Sequence, residues 1–161
     1  MSMHDDLEAI RQLKYRYFRA LDTKRWDELG ETLTEDATTS YDEGRYAFSG
    51  REAILEFLRG ALGSPRILSM HHGHHPEIEV TSATTARGTW YLEDQVIFRD
   101  ANTVLRGAAF YSDEYRKVDG HWKICSTGYR RTFEWIETRE EPLSLRSCFD
   151  GVPPEAALGD R

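Results

Sequence analysis

Two hydrophobic periodicities follow one another along this chain, and their order constrains the fold more than any other feature. Over residues 5–22 apolar side chains recur at Leu7, Ile10, Leu13, Tyr17 and Leu21, the spacing of one helical face, with Asp5 or Asp6 placed to cap it. Residues 26–33 predict a short second helix. Residues 50–62 predict a third, with Ile54, Leu55, Phe57, Leu58 and Leu62 on its buried side and Gly63, Ser64 and Pro65 ending it. Beyond that point the pattern changes. Residues 78–80, 85–98, 103–117 and 122–133 are rich in β-branched and aromatic residues and are separated by Ser82-Ala83, Asp100-Ala101-Asn102 and Asp119-Gly120. Asp-Gly is a strong hairpin signal, because a tight primed turn needs positive φ at both central positions. A further hairpin is expected around residues 38–48, turning at Asp42-Glu43-Gly44. Helices first and a long antiparallel meander afterwards predict an α+β fold: a strongly curved sheet wrapped around the helices as a cone, with an apolar cavity between them.

At 161 residues the chain is long enough for one domain with a substantial core. We expect that domain over residues 1–138. Residues 139–161 turn polar and proline-containing, and we read them as an irregular tail lying on a neighbouring subunit. A net charge of −7 with no basic block argues against nucleic acid or an anionic membrane as partner. The opening MSMHDDLEAI is acidic without an apolar signal core, and no apolar run approaches the roughly 18 residues of a membrane span. Cys125 and Cys148 form neither a CxxC nor a zinc spacing. These features together predict a cytoplasmic protein.

The chemistry-bearing residues fall in four places. Tyr17 and Asp22 lie in YFRALD at the end of the first helix, where an aspartate is disfavoured by the partial negative charge of the helix terminus unless a histidine or arginine offsets it. The stretch SMHHGHHPEI holds four of the chain's six histidines. Strand alternation puts His72 and His74 on one side and His71, Gly73 and His75 on the other, with Glu77 and Glu79 on the His71 side. Two histidines plus a carboxylate could ligate zinc or iron, but no third ligand is evident nearby. Otherwise one histidine faces the interior and pairs with Asp22 as a general base, or the run is simply a polar strand. Tyr41 could project from the early hairpin into the cavity mouth. Of Arg130 and Arg131, alternation sends only one inward, where it needs an anionic partner.

These motifs together resemble the SnoaL-like branch of the NTF2-like (cystatin-like) superfamily over residues 7–135. The resemblance is carried by AIRQLKYRYFRALDTKRWDEL, SMHHGHHPEIEV, TTARGTWYLED, GAAFYSDEYRKVDGHWKI and TGYRR. Within the superfamily the motifs resemble those of the bile-acid 7-alpha-dehydratases, and more distantly those of scytalone dehydratase. The resemblance implies a cofactor-independent and metal-free hydro-lyase acting on a small apolar ring substrate. It implies Tyr17, Asp22 and His71 as catalytic residues, Tyr41 and Arg131 as substrate-binding residues, and a homotrimer. Arg131 would bind an anionic group of the substrate or pair with Asp22. Isomerases, cyclases and non-catalytic subunits of ring-hydroxylating dioxygenases share the scaffold, so the fold alone leaves these readings open.

Overall fold

The computed structural model describes residues 3–158. Helices α1 (Met3–Asp22), α2 (Trp26–Glu31) and α3 (Arg51–Leu62) pack on one face of a six-stranded sheet. Its strands are β1 (Leu33–Tyr41), β2 (Tyr46–Ser49), β3 (Ile67–Val80), β4 (Thr85–Phe98), β5 (Thr103–Val118) and β6 (His121–Thr138). The sheet order is β2-β1-β6-β5-β4-β3. The α+β cone expected from the two periodicities is the observed architecture. Among the described residues, no helix is long and apolar enough to cross a membrane.

The amphipathic face of α1 buries Ile10, Leu13, Tyr17 and Leu21 as its spacing predicts, and adds Lys14 and Phe18. These meet the inner face of the sheet, where Trp90, Leu92, Ala109, Tyr111 and Tyr115 alternate inward along β4 and β5. The turn between β5 and β6 is the Asp119-Gly120 pair, with φ of 49° and 80°, as the hairpin chemistry requires.

Three boundaries depart from expectation. Leu33 begins β1 instead of ending a helix, and β1 pairs in parallel with β6 while it pairs antiparallel with β2. β6 runs on to Thr138. β3 starts at Ile67, eleven residues before the apolar stretch that announced it, so the whole histidine run is strand. It is held there by pairing with β4, although its own composition is polar.

A bulge between His74 and Glu77 breaks the β3 register, with His75 at a φ of 45°. The extra residue reverses the alternation beyond it: Glu77 and Glu79 are exposed, while Ile78 and Val80 pack against the core. The placement of Glu77 and Glu79 on the His71 face is therefore corrected. Part of the tail docks on its own chain, since Phe149 is buried beneath the Lys24 ammonium and Arg99 pairs with Asp150.

A buried polar lattice joins helix to sheet. Asp113 accepts hydrogen bonds from Tyr115 (2.8 Å) and Thr127 (2.6 Å) and forms an ion pair with Lys14 (2.8 Å), both of whose side chains are fully buried. The Lys14 ammonium also lies 3.7 Å from the centre of the Tyr111 ring. Burial pulls the Lys14 pKa below the ordinary lysine value, and Asp113 opposes that pull.

Candidate active site

Asp22, the last residue of α1, and His71, on β3, meet where the helix crosses the sheet edge. Asp22 Oδ1 lies 2.6 Å from His71 Nδ1 and accepts from the Ser69 hydroxyl at 2.8 Å, while Oδ2 accepts the His71 backbone N–H at 2.8 Å. Three donors thus compensate the carboxylate for standing at a helix C-terminus. The offset expected from a histidine or an arginine is supplied by His71 and Ser69 together. The adjacent Lys24 fixes the junction by donating to the carbonyls of Leu62 (2.5 Å) and Ile67 (2.8 Å).

With Nδ1 held by a carboxylate, the neutral imidazole keeps its proton on that nitrogen and presents Nε2 with a free lone pair. The His71 side chain is only 9% exposed and Asp22 21%, so the pair is shielded but reachable. The Phe18 ring lies parallel to the imidazole, within 4° and 6.2 Å between centres. Its edge also abuts Gly73, where a Cβ would fall 2.5 Å from Phe18 Cε2. Gly73 therefore permits the close approach of α1 to β3 that brings Asp22 to His71. A pocket of about 410 Å³ opens over the pair at the sheet edge; Tyr15, Phe18, Asp22 and His71 line it, as do His72 and His74, whereas Tyr17, Tyr41 and Arg131 do not. A larger cleft, about 850 Å³, lies away from the pair among mixed charges such as Glu31, Asp36, Arg51 and Arg116. Among the described residues that line it, His121 included, no base is held by an orienting carboxylate as His71 is, so the smaller pocket is the stronger candidate.

Of the other three predicted residues, the two tyrosines sit deeper. Tyr17 and Tyr41 are buried and share a hydrogen bond of 2.9 Å between their hydroxyls. Burial raises both phenols above the ordinary tyrosine value, so both are neutral donors near neutral pH. Tyr41 was expected at a cavity mouth; it lies in the core instead, stacked near Phe57 and Tyr129. Tyr17, Phe18, Tyr41 and Tyr111 together occupy the space between α1 and the sheet.

Arg131 turns inward and Arg130 outward, as alternation requires. Its partner is Asp94, not Asp22: the guanidinium grips the carboxylate with both Nη groups, the Nη2–Oδ2 bond being 2.7 Å. Burial works against the Arg131 charge, but Asp94 more than offsets it and raises the pKa above the ordinary arginine value. Gly107 on β5 makes the reach possible, since a Cβ there would fall 2.7 Å from Arg131 Nη1. Asp94 stands directly opposite His71 in the β3–β4 ladder. The structure thus joins a His71–Asp22 pair to an Arg131–Asp94 pair by strand register, and Tyr129 links Arg131 to the Tyr17–Tyr41 pair through ring contacts.

Sequence reasoning did not identify Asp94, Ser69, Phe18 or Tyr111. One signal was available for Asp94: the inward positions of β4 read Trp90, Leu92, Asp94, Val96, a lone carboxylate in an apolar row.

The class that fold and site define is an α+β cone with a histidine–carboxylate pair set between its first helix and the edge of its sheet. Residues 3–128 match the sequence model of the SnoaL-like domain, and the chain belongs to that family. Among solved structures it is similar to a hexachlorocyclohexane dehydrochlorinase (LinA) of type 2, with a TM-score of 0.76 at 21% identity over 88% of this chain and 94% of that one. It is also similar to a protein of Novosphingobium aromaticivorans DSM 12444 provisionally assigned as a scytalone dehydratase, with a TM-score of 0.74 at 23% identity over 88% and 95%. A cystatin-like protein of unknown function from Nostoc punctiforme PCC 73102 aligns with a TM-score of 0.63 at 21% identity, over 81% and 93%. At these identities the likeness establishes the fold.

Proposed function

We propose that the chain is a cofactor-independent lyase that removes water from a hydroxylated, apolar ring substrate of steroid, bile-acid or polyketide type. The observation that carries this reading is the 2.6 Å contact between Asp22 and His71 Nδ1, which leaves Nε2 as an oriented base beside a pocket. His71 would take the C–H proton next to a substrate carbonyl, and Asp22 would stabilise the resulting imidazolium. The electron pair passes into an enolate. Its return expels the hydroxyl, which leaves as water with a proton from the imidazolium. Tyr17 and Tyr41, held neutral by burial, lie in the core outside the pocket lining; they would donate to the enolate or the departing hydroxyl once substrate entry displaces the Phe18 ring beside Tyr17. Arg131, already neutralised by Asp94, would orient a polar substituent instead of supplying a free charge. Solved structures of similar fold carry a dehydrochlorinase and a provisional dehydratase assignment, both eliminations, which accords with this reading. A homo-oligomeric, cytoplasmic enzyme is part of the same proposal.

The test is incubation with a panel of hydroxylated 3-oxo-steroids, read by mass spectrometry. Loss of one water supports dehydration; turnover without a mass change makes the protein an isomerase. His71→Ala should lower turnover by about 10²–10⁴, and near-normal turnover in that variant sinks the mechanism. A purely structural subunit would need no inward His–Asp pair. It would turn over no substrate and would co-purify with a larger redox subunit.

A further inference from the structure

The residues on either side of Gly73 face outward. His72 and His74 stand on the outer surface of β3, on the face opposite His71, two positions apart and therefore on the same side. Their ring centres are 5.7 Å apart. A carboxylate is supplied by the neighbouring strand: Glu93 on β4 is the register partner of His72. Glu93 Oε2 lies 3.6 Å from His74 Nε2, and one donor atom from each of the three residues falls within 4.8 Å of the others. Sequence reading finds the two histidines and no third donor, because the third is 19 residues from His74 along the chain and adjacent only through the ladder.

We propose that His72, His74 and Glu93 form a binding site for a borderline divalent transition-metal ion, zinc being the physiological candidate. Two imidazoles and one carboxylate are donors that suit zinc, nickel or copper better than magnesium or calcium. Bonds of about 2.0–2.2 Å in a tetrahedral shell place neighbouring donors about 3.4 Å apart. The His74–Glu93 separation is already near that value, and His72 needs only a side-chain rotation to reach it. The ladder fixes the three Cα positions, so binding costs side-chain freedom but no backbone ordering. The three ligands occupy one side of the ion, and the remaining positions face away from the sheet, open to water or to a donor from another molecule. Met70 and the stacked Tyr91–Phe110 pair lie alongside on the same outer surface, giving the site an apolar flank. His72 and His74 also line the pocket over the Asp22–His71 pair, but the site shares no donor atom with that pair, so metal binding is tested without reference to turnover.

Calorimetry of the full chain with Zn²⁺, and separately with Ni²⁺, tests it. One ion per chain is expected. His72→Ala, His74→Ala and Glu93→Gln should each weaken binding by at least the roughly 10–100-fold that loss of even an outer-shell partner costs. His121→Ala, at the far end of β6, should leave it unchanged. Substoichiometric Ni²⁺ or Cu²⁺ should selectively broaden the His72 and His74 ring resonances in NMR spectra. All three ligands are on the surface, so unchanged circular dichroism separates lost binding from lost folding. Equal binding in the His72→Ala/His74→Ala double variant overturns the assignment. So does binding abolished by His71→Ala with His72 and His74 intact, which would place the ion at the inner pair.

Discussion

Replacing Asp22 by asparagine tests the orienting role with almost no change in shape. In the native site Oδ1 serves both Ser69 and His71 Nδ1, and Oδ2 serves the His71 backbone N–H. An amide has one acceptor oxygen. If that oxygen takes the Oδ1 place, the NH₂ group meets the backbone N–H of His71, donor against donor, with no remedy. If it takes the Oδ2 place, the NH₂ group meets Ser69, whose hydroxyl can accept instead, and His71 Nδ1, which can accept if its proton moves to Nε2. The second arrangement satisfies every group, and its consequence is an inverted tautomer: Nε2 now carries hydrogen and has no lone pair for the substrate. The expected loss is the worth of a general base, about 10²–10⁴ in turnover, or about 2.7–5.4 kcal/mol of transition-state stabilisation. Stability should change much less. The lost charge-assisted bonds are worth about 1.5–3 kcal/mol, and relief of the unfavourable charge at the helix C-terminus returns about 0.3–1 kcal/mol. Nitrogen-15 NMR of the imidazole needs no substrate and reads the tautomer directly: Nδ1–H in the native protein, Nε2–H in Asp22→Asn. A variant that keeps the native tautomer and turns over substrate within tenfold of native would refute the reasoning.

Three further outcomes follow from the packing. Lys14→Met leaves the buried Asp113 carboxylate with only Tyr115 and Thr127 as partners and should cost about 3–5 kcal/mol in urea unfolding; the double variant with Asp113→Asn should lose less than the two single losses combined. Gly107→Ala puts a methyl against the Arg131 guanidinium and the Phe133 carbonyl and should destabilise by about 2–4 kcal/mol, with a non-additive loss when combined with Arg131→Met. Burial raises Tyr17, Tyr41, Tyr111 and Tyr115 above the ordinary value near 10. Above that pH the unfolded chain releases protons that the folded one retains, so stability should be lost as pH rises, by up to about 1.4 kcal/mol per unit for each tyrosine. The lowered Lys14 and Lys24 values act in the opposite direction at alkaline pH below 10.5, but they are two groups against these four tyrosines, to which the raised Tyr129 adds a fifth. Unfolding midpoints unchanged between pH 9.5 and 11 would contradict the burial argument.

What was legible in the sequence is what short-range chemistry determines. The α1 face, the Asp119-Gly120 turn and the alternation of β4 and β5 each follow from neighbours a few residues apart. The awkward aspartate at the helix C-terminus correctly demanded a partner, and the family motif supplied His71. Long-range pairing was not legible. Nothing in residues 33–41 marks β1 as the parallel neighbour of β6, because the relevant contacts span about 90 positions. The Arg131–Asp94 grip depends on a missing side chain at Gly107 on the strand between them, a three-strand coincidence that no single segment records. The β3 bulge did leave a trace. Pro76 has no N–H to donate, and a proline within an apparent strand marks an edge or an irregularity. Carrying strict alternation across it put Glu77 and Glu79 on the wrong face.

The position of the Asp22–His71 pair follows from β3 being the last strand of the sheet. An edge strand presents every second backbone N–H to no partner strand, and the His71 N–H is one of these. One Asp22 oxygen satisfies that orphan donor while the other fixes the His71 ring, so a single carboxylate both closes a sheet edge and orients the proposed base. Coupling the two tasks also explains the exposure of the site. In a central strand the N–H would be bound by the next strand and the ring enclosed on both flanks, whereas at the edge the helix terminus covers one flank and leaves a pocket on the other. Alternation then gives the adjacent residue, His72, to the outer surface beside Glu93. The same edge therefore holds an inward histidine whose Nδ1 is bound by a carboxylate and, one residue on, an outward pair of histidines with a carboxylate opposite. The number of histidines does not separate these two chemistries; the face each ring is given by the pleat does.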